Sequence, residues 1–87
     1  MEYKVFTKHN CAWCRKSKDL LSERKLYFEE YIYEEDFTKE QLVQLLGMKP
    51  NDKLTLPQIF IVENDKVRHI GGYEALEAHL NEIGTAI

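Results

Sequence analysis

Apolar and polar positions change period several times along the chain, and each change marks an element. Residues 3–7 alternate and are rich in strand formers, which predicts a first strand. The next dozen residues after Asn10 hold no glycine or proline, and Leu20 and Leu21 give them an apolar edge. A helix over residues 11–25 follows, with Asn10 as its N-cap. Residues 27–33 are aromatic and alternating, a second strand with Phe28 and Ile32 as core positions. Thr38-Lys39-Glu40-Gln41 reads as a capping box, Leu42, Leu45 and Leu46 follow at helical spacing, and Gly47 and then Pro50 stop the run. That is a helix over residues 38–46.

The second half is built differently. Pro57 opens a nearly continuous apolar run over residues 58–62, the signature of a strand central to a sheet. Residues 63–66 read as a hairpin turn into a strand over residues 67–70. Gly71-Gly72 breaks that pattern, and Leu76, Leu80 and Ile83 mark a last amphipathic helix. The order is β-α-β-α-β-β-α, an α/β chain with no repeat, linker or low-complexity segment.

Composition narrows the classes. With 87 residues and 44% hydrophobic content, the chain is long enough for a single domain over residues 1–87 with one modest core. A net charge of −3 gives no general attraction to nucleic acid or an anionic membrane. No stretch reaches the roughly 20 apolar residues of a membrane span. The start MEYKVF reads as a strand and not as a cleavable leader, so a cytoplasmic setting is expected. Charge is unevenly spread: residues 29–40 carry six acids against one lysine, whereas residues 8–18 are basic.

That basic segment, KHNCAWCRKSK, holds both cysteines, Cys11 and Cys14. Residues three apart on a helix share a face, so the sulfurs can meet. Cys11 falls at the helix start, where free N–H groups and the dipole favour negative charge, and Lys8 and a protonated His9 act in the same sense. Such surroundings lower a cysteine pKa from ~8.5 to between ~3.5 and ~7.5. Cys14 lies a turn deeper and is expected to stay protonated. One sulfur attacks and the other resolves. A zinc site needs four ligands, and His69 and His79 fall in other elements and supply no second pair. A permanent bridge closing so short a loop adds little stability. A Cys-x-x-Cys pair beside a βαβ pattern is a redox signature.

Three blocks give the chain a family likeness: Thr7-Lys8-His9-Asn10-Cys11-Ala12-Trp13-Cys14, then Thr55-Leu56-Pro57-Gln58-Ile59-Phe60-Ile61, then Ile70-Gly71-Gly72-Tyr73-Glu74. In order and spacing they resemble the glutaredoxins, within the thioredoxin-like fold. The resemblance implies a four-stranded mixed sheet flanked by three helices, and a cis Leu56–Pro57 bond facing the cysteines. It implies glutathione as the reducing co-substrate, with Lys8 and Lys53 at its glycine carboxylate. Leu56 pairs backbone to backbone with the cysteinyl part, next to Pro57. Trp13 flanks the ligand in place of the family's usual tyrosine, and Gly72, Tyr73 and Glu74 meet the γ-glutamyl end.

The function implied is a glutathione-dependent thiol–disulfide oxidoreductase acting as a monomer. Its substrates are disulfide-containing or glutathionylated proteins, ribonucleotide reductase among them. Two alternatives stay open: a redoxin reduced by thioredoxin reductase, and an iron–sulfur cluster carrier, since Ala12 stands where proline is usual. Glu74 is followed by Ala75, where the family often places an acid at the second position after Tyr73.

Overall fold

The computed structural model describes residues 2–49 and 52–84, with the backbone alone for residues 83 and 84. The stop at Pro50 and the apolar position at Ile83 lie outside the described residues or side chains. The elements run β1 (Glu2–Thr7), α1 (Ala12–Glu23), β2 (Phe28–Ile32), α2 (Lys39–Leu46), β3 (Gln58–Glu63), β4 (Lys66–Gly71) and α3 (Tyr73–Gly84). The strand order is β2-β1-β3-β4. β1 pairs parallel with β2 and antiparallel with β3, and β3 pairs antiparallel with β4. The expected mixed sheet and element order are therefore present. The parallel β1–β2 pair needs a crossover, which α1 supplies, whereas β3 and β4 are joined by a tight turn. Asn64 and Asp65 in that turn have φ of 52° and 64°, the left-handed pair that a two-residue hairpin requires.

Alternation along the strands divides the core in two. Tyr3 and Val5 of β1 and Ile59 and Ile61 of β3 face the α1/α3 side, where they pack with Leu21, Leu76 and Leu80. The opposite side gathers Phe60, Phe37 and Leu42, with Phe6, Tyr31 and Leu56 packed against them. Strand β3 is buried on both faces, and its unbroken apolar run says as much. Fully burying a large apolar side chain contributes about 1.5–3 kcal/mol.

The helix boundaries differ from expectation in instructive ways. Asn10 is not the N-cap of α1: its φ is 56°, in the left-handed region, and the extended residue that caps the helix is Cys11. At the other end Lys25 takes φ of 57°, and the Leu26 amide donates to the Leu21 carbonyl, so the helix closes at Glu23 instead of Lys25. The capping box of α2 is as read: Thr38 Oγ1 accepts from the Gln41 amide at 3.2 Å and Gln41 Oε1 accepts from the Thr38 amide at 2.8 Å. Gly47, at φ of 72°, ends that helix. Leu45 does not join the core and is 53% exposed. Leu42, Val43 and Leu46 fall on one arc of α2, and Leu45 lies about 60° outside it.

Leu21→Ala removes a fully buried side chain beneath α1 and should cost about 2–5 kcal/mol, whereas Leu45→Ala should cost under about 0.5. Urea unfolding of the two variants checks this.

Candidate active site

The end of β1 and the start of α1 bring the two cysteines together. Thr7 ends the strand, residues 8–10 turn, and Cys11 and Cys14 are joined as a disulfide with their Cα atoms 5.2 Å apart. Cys11 occupies the N-cap position, and its Sγ accepts a hydrogen bond from the Cys14 amide at 3.2 Å. An N-cap ordinarily uses a Ser, Thr or Asp oxygen for that amide. Here sulfur does, so an orphan donor of the helix is aimed at the sulfur expected to carry negative charge. The two sulfurs are not equivalent in exposure: Cys11 is half-buried and Cys14 is 2% exposed. His9 does less for the sulfurs than its sequence position suggests, because its Nε2 is bonded to Glu35 Oε2 at 2.9 Å.

Opposite the sulfurs lies the chain before β3. The Leu56–Pro57 bond is cis, and the Leu56 carbonyl oxygen is 3.9 Å from Cys11 Sγ. Two clefts meet at this point and share Thr55 and Leu56. The first, of about 500 Å³, is walled by Lys8, Lys53 and Leu56, with Tyr33 and Lys39. The second, of about 370 Å³, is walled by Trp13, Leu56, Pro57, Gly72, Tyr73 and Glu74, with Ala75. Lys8 and Lys53 thus line a cationic arm, Trp13, Pro57, Gly72, Tyr73 and Glu74 an aromatic arm, and Leu56, whose carbonyl lies against Cys11, belongs to both. In the aromatic arm the Trp13 and Tyr73 ring centroids are 5.5 Å apart, and Lys16 Nζ sits 4.3 Å above the indole. The Tyr73 hydroxyl donates to Glu77 at 3.4 Å.

The two glycines differ in what they contribute. Gly71 has φ of 130°, and a Cβ there would come within 2.9 Å of the Ala75 Cβ, so that position has to be glycine. Gly72 is under no such constraint: an added Cβ would only touch the Pro57 carbonyl, at 3.5 Å.

One set of residues was not anticipated. Gln58, the first residue of β3, donates from Nε2 to the Thr55 carbonyl at 2.9 Å, and its Oε1 lies 2.7 Å from His69 Nε2 on β4. His69 in turn packs against the Phe60 ring at 4.9 Å, and burial pushes its pKa down. This chain ties the loop that both clefts share to the sheet. His69 stands opposite Phe60 in the β3–β4 ladder, so Gln58, two residues before Phe60, is its diagonal neighbour across the strands. Among the described residues, no group of three or more His, Cys, Asp or Glu is placed to hold a metal ion.

A sheet of this order, a dithiol pair at the start of the first helix and a cis-proline facing it define a thioredoxin-like domain of the disulfide-oxidoreductase class. The family model for glutaredoxin matches residues 4–67, and the chain belongs to the glutaredoxin family. It is 39% identical over 72 residues to glutaredoxin 1 of Rickettsia felis, covering 83% of this chain and 65% of that protein. It is 37% identical over 75 residues to the hybrid peroxiredoxin hyPrx5 of Haemophilus influenzae, covering 86% of this chain but 27% of that protein. The chain thus spans between about a quarter and two thirds of the length of these relatives. Among solved structures, reduced Escherichia coli glutaredoxin superposes with a TM-score of 0.71 at 34% identity, covering 94% of this chain and 95% of that one. A buckwheat glutaredoxin–glutathione complex does so with a TM-score of 0.62 at 25% identity, covering 92% and 69%.

Replacing Gln58 with Ala removes the tie on Thr55 and should weaken binding in the clefts about fivefold, the worth of roughly one net hydrogen bond. His69→Ala should act in the same direction and more weakly. In steady-state assays of disulfide reduction, KM should rise while kcat stays near that of the parent.

Proposed function

We propose that this domain makes its protein a glutathione-dependent thiol–disulfide oxidoreductase, with Cys11 as nucleophile and Cys14 as resolving thiol. The observation that carries the reading is the position of Cys11 Sγ. It caps α1, stays partly exposed, and lies against the Leu56 carbonyl where the cationic and aromatic clefts meet. Likeness to a glutaredoxin–glutathione complex supports glutathione as the small thiol.

In this reading glutathione lies across both clefts. Lys8 and Lys53 meet its glycine carboxylate by charge, and the Leu56 backbone takes its cysteinyl part as a short added strand. The start of α3 at Tyr73, with Gly72 and Glu74, receives the γ-glutamyl end, where a helix N-terminus favours the carboxylate. Trp13 covers the ligand from the side and leaves its sulfur directed at Cys11.

Two routes share one nucleophile. In the first, Cys11 thiolate attacks the glutathione sulfur of a mixed disulfide, and the protein thiolate leaves and takes a proton. A second glutathione then attacks the glutathione sulfur bound to Cys11, giving glutathione disulfide and free Cys11 thiolate. In the second route, Cys11 attacks a protein disulfide. Cys14 then loses its proton, attacks Cys11 Sγ and expels the remaining substrate thiolate. Two glutathiones restore the pair, one by opening the Cys11–Cys14 bond and one by releasing Cys11. Family potentials near −200 to −230 mV make this exchange reversible against a cytosolic glutathione pool, and we place its work in the cytoplasm. Ribonucleotide reductase is a protein substrate the family resemblance implies.

Cys11→Ser should abolish both routes. Cys14→Ser should keep reduction of a small glutathione mixed disulfide and lose reduction of a protein disulfide. NADPH consumption coupled through glutathione and glutathione reductase measures each, and equal loss from the two substitutions would remove the division of roles. Turnover through thioredoxin reductase alone, with none through glutathione, would replace glutathione as reductant.

A further inference from the structure

Strand β2 carries an anomaly on its inward face. Phe28 packs against the core beneath α1 and α3, and Ile32 lies two pleats further along the same face. Between them, where alternation calls for an apolar residue, stands Glu30. Its Oε2 accepts from the Thr7 hydroxyl, which is 1% exposed, and from Lys18 Nζ, each at 2.8 Å. Burial pushes the Glu30 pKa up, but the bonds from Lys18 and Thr7 outweigh it and hold the carboxyl below the usual range. The pair is mostly shielded, with 32% of the Lys18 and 27% of the Glu30 side chain exposed. Apolar packing generally stabilises such a place at least as well as a shielded ion pair.

The location gives the pair a use. A cavity of about 680 Å³ lies beside the disulfide, its wall distinct from those of the two clefts apart from Lys8. Cys11, Cys14, Lys18 and Glu30 all line it. Lys18 follows Cys14 by four residues on α1 and so shares its helix face. The other ionisable residues on this wall are Lys8, His9 and Arg15, and Glu30 is the one carboxylate among its described lining residues.

We propose that the Lys18–Glu30 pair sets the charge environment of the Cys14 sulfur, and through it the ease with which the Cys11–Cys14 bond opens and closes. This rests on the resolving role given to Cys14 above. When a glutathione thiolate attacks Cys11 Sγ, the new S–S bond forms there and the old one breaks. Its electron pair leaves on Cys14, which at 2% exposure has little water to stabilise it. The Lys18 ammonium on the same face favours that thiolate, and the Glu30 carboxylate bonded to Lys18 tempers the effect. A leaving thiol of lower pKa leaves faster and stabilises the reduced state. Lys18 and Glu30 therefore pull in opposite directions on one sulfur and are positioning residues for it.

The opposition is the signature to measure. In the reduced protein, with cysteines carbon-13 labelled at Cβ, the Cys14 pKa read by NMR should rise in Lys18→Met and fall in Glu30→Gln, with Lys18→Arg close to the parent. The equilibrium of the pair with glutathione should move about tenfold in opposite directions, about 30 mV each way. A purely structural pair would give shifts of the same sign, because either substitution breaks the same contact. Same-sign shifts, or no shift in either variant, would overturn the proposal. The titration needs no substrate. Opposite shifts without glutathione-coupled turnover in the parent would leave the pair's role standing and remove the catalytic reading.

Discussion

The amide of Cys14 donating to the sulfur of Cys11 is the contact on which the rest of the site depends. It makes a cysteine the N-cap of α1, so the helix begins by directing an unsatisfied donor at a group able to hold negative charge. The geometry that follows is asymmetric. One sulfur sits at the helix mouth, partly exposed and close to the Leu56 carbonyl. The other is drawn down onto the core face that it shares with Ser17 and Leu21. Ser17 tolerates that burial because its hydroxyl donates to the Trp13 carbonyl at 2.9 Å. A hydrogen bond of about 1 kcal/mol is small against the total stability of a domain, but it is stronger to a thiolate than to a neutral sulfur. It therefore acts on ionisation more than on folding.

The sheet turns that contact into a site. Inner strand β1 delivers Thr7 and the turn into α1, while β3 beside it delivers the cis-proline loop to the same end of the sheet. The clefts on either side of Leu56 are consequences of that pairing, not independent inventions. Gln58 and His69 hold the loop from below, and Gly71 allows β4 to pass close to Ala75 before α3 begins.

Most of the fold was legible in the chain, because its elements announce themselves locally. The Thr38/Gln41 capping box, Gly47, the turn at Asn64-Asp65 and the apolar run of β3 each have one cheap structural solution. The features not read in advance come from long-range register. Asn10 looked like a cap by residue type, yet it takes a left-handed φ that passes the cap to Cys11. Leu45 looked apolar at helical spacing, yet the covered arc of α2 is only wide enough for Leu42, Val43 and Leu46. His9 is near the sulfurs in sequence, yet its Nε2 is bonded to Glu35. Of the ten residues proposed from the sequence, two form the disulfide and eight line the two clefts that share Leu56, whereas Gln58, His69 and the Lys18–Glu30 pair emerge only once strands are paired.

Everything returns to whether the outer sulfur is charged at working pH. Titrating the reduced Cys14→Ser variant, by thiolate ultraviolet absorbance and by the pH dependence of iodoacetamide alkylation, isolates Cys11. The account predicts a midpoint below about 7.5, and a midpoint near the free-thiol value of about 8.5 would contradict it.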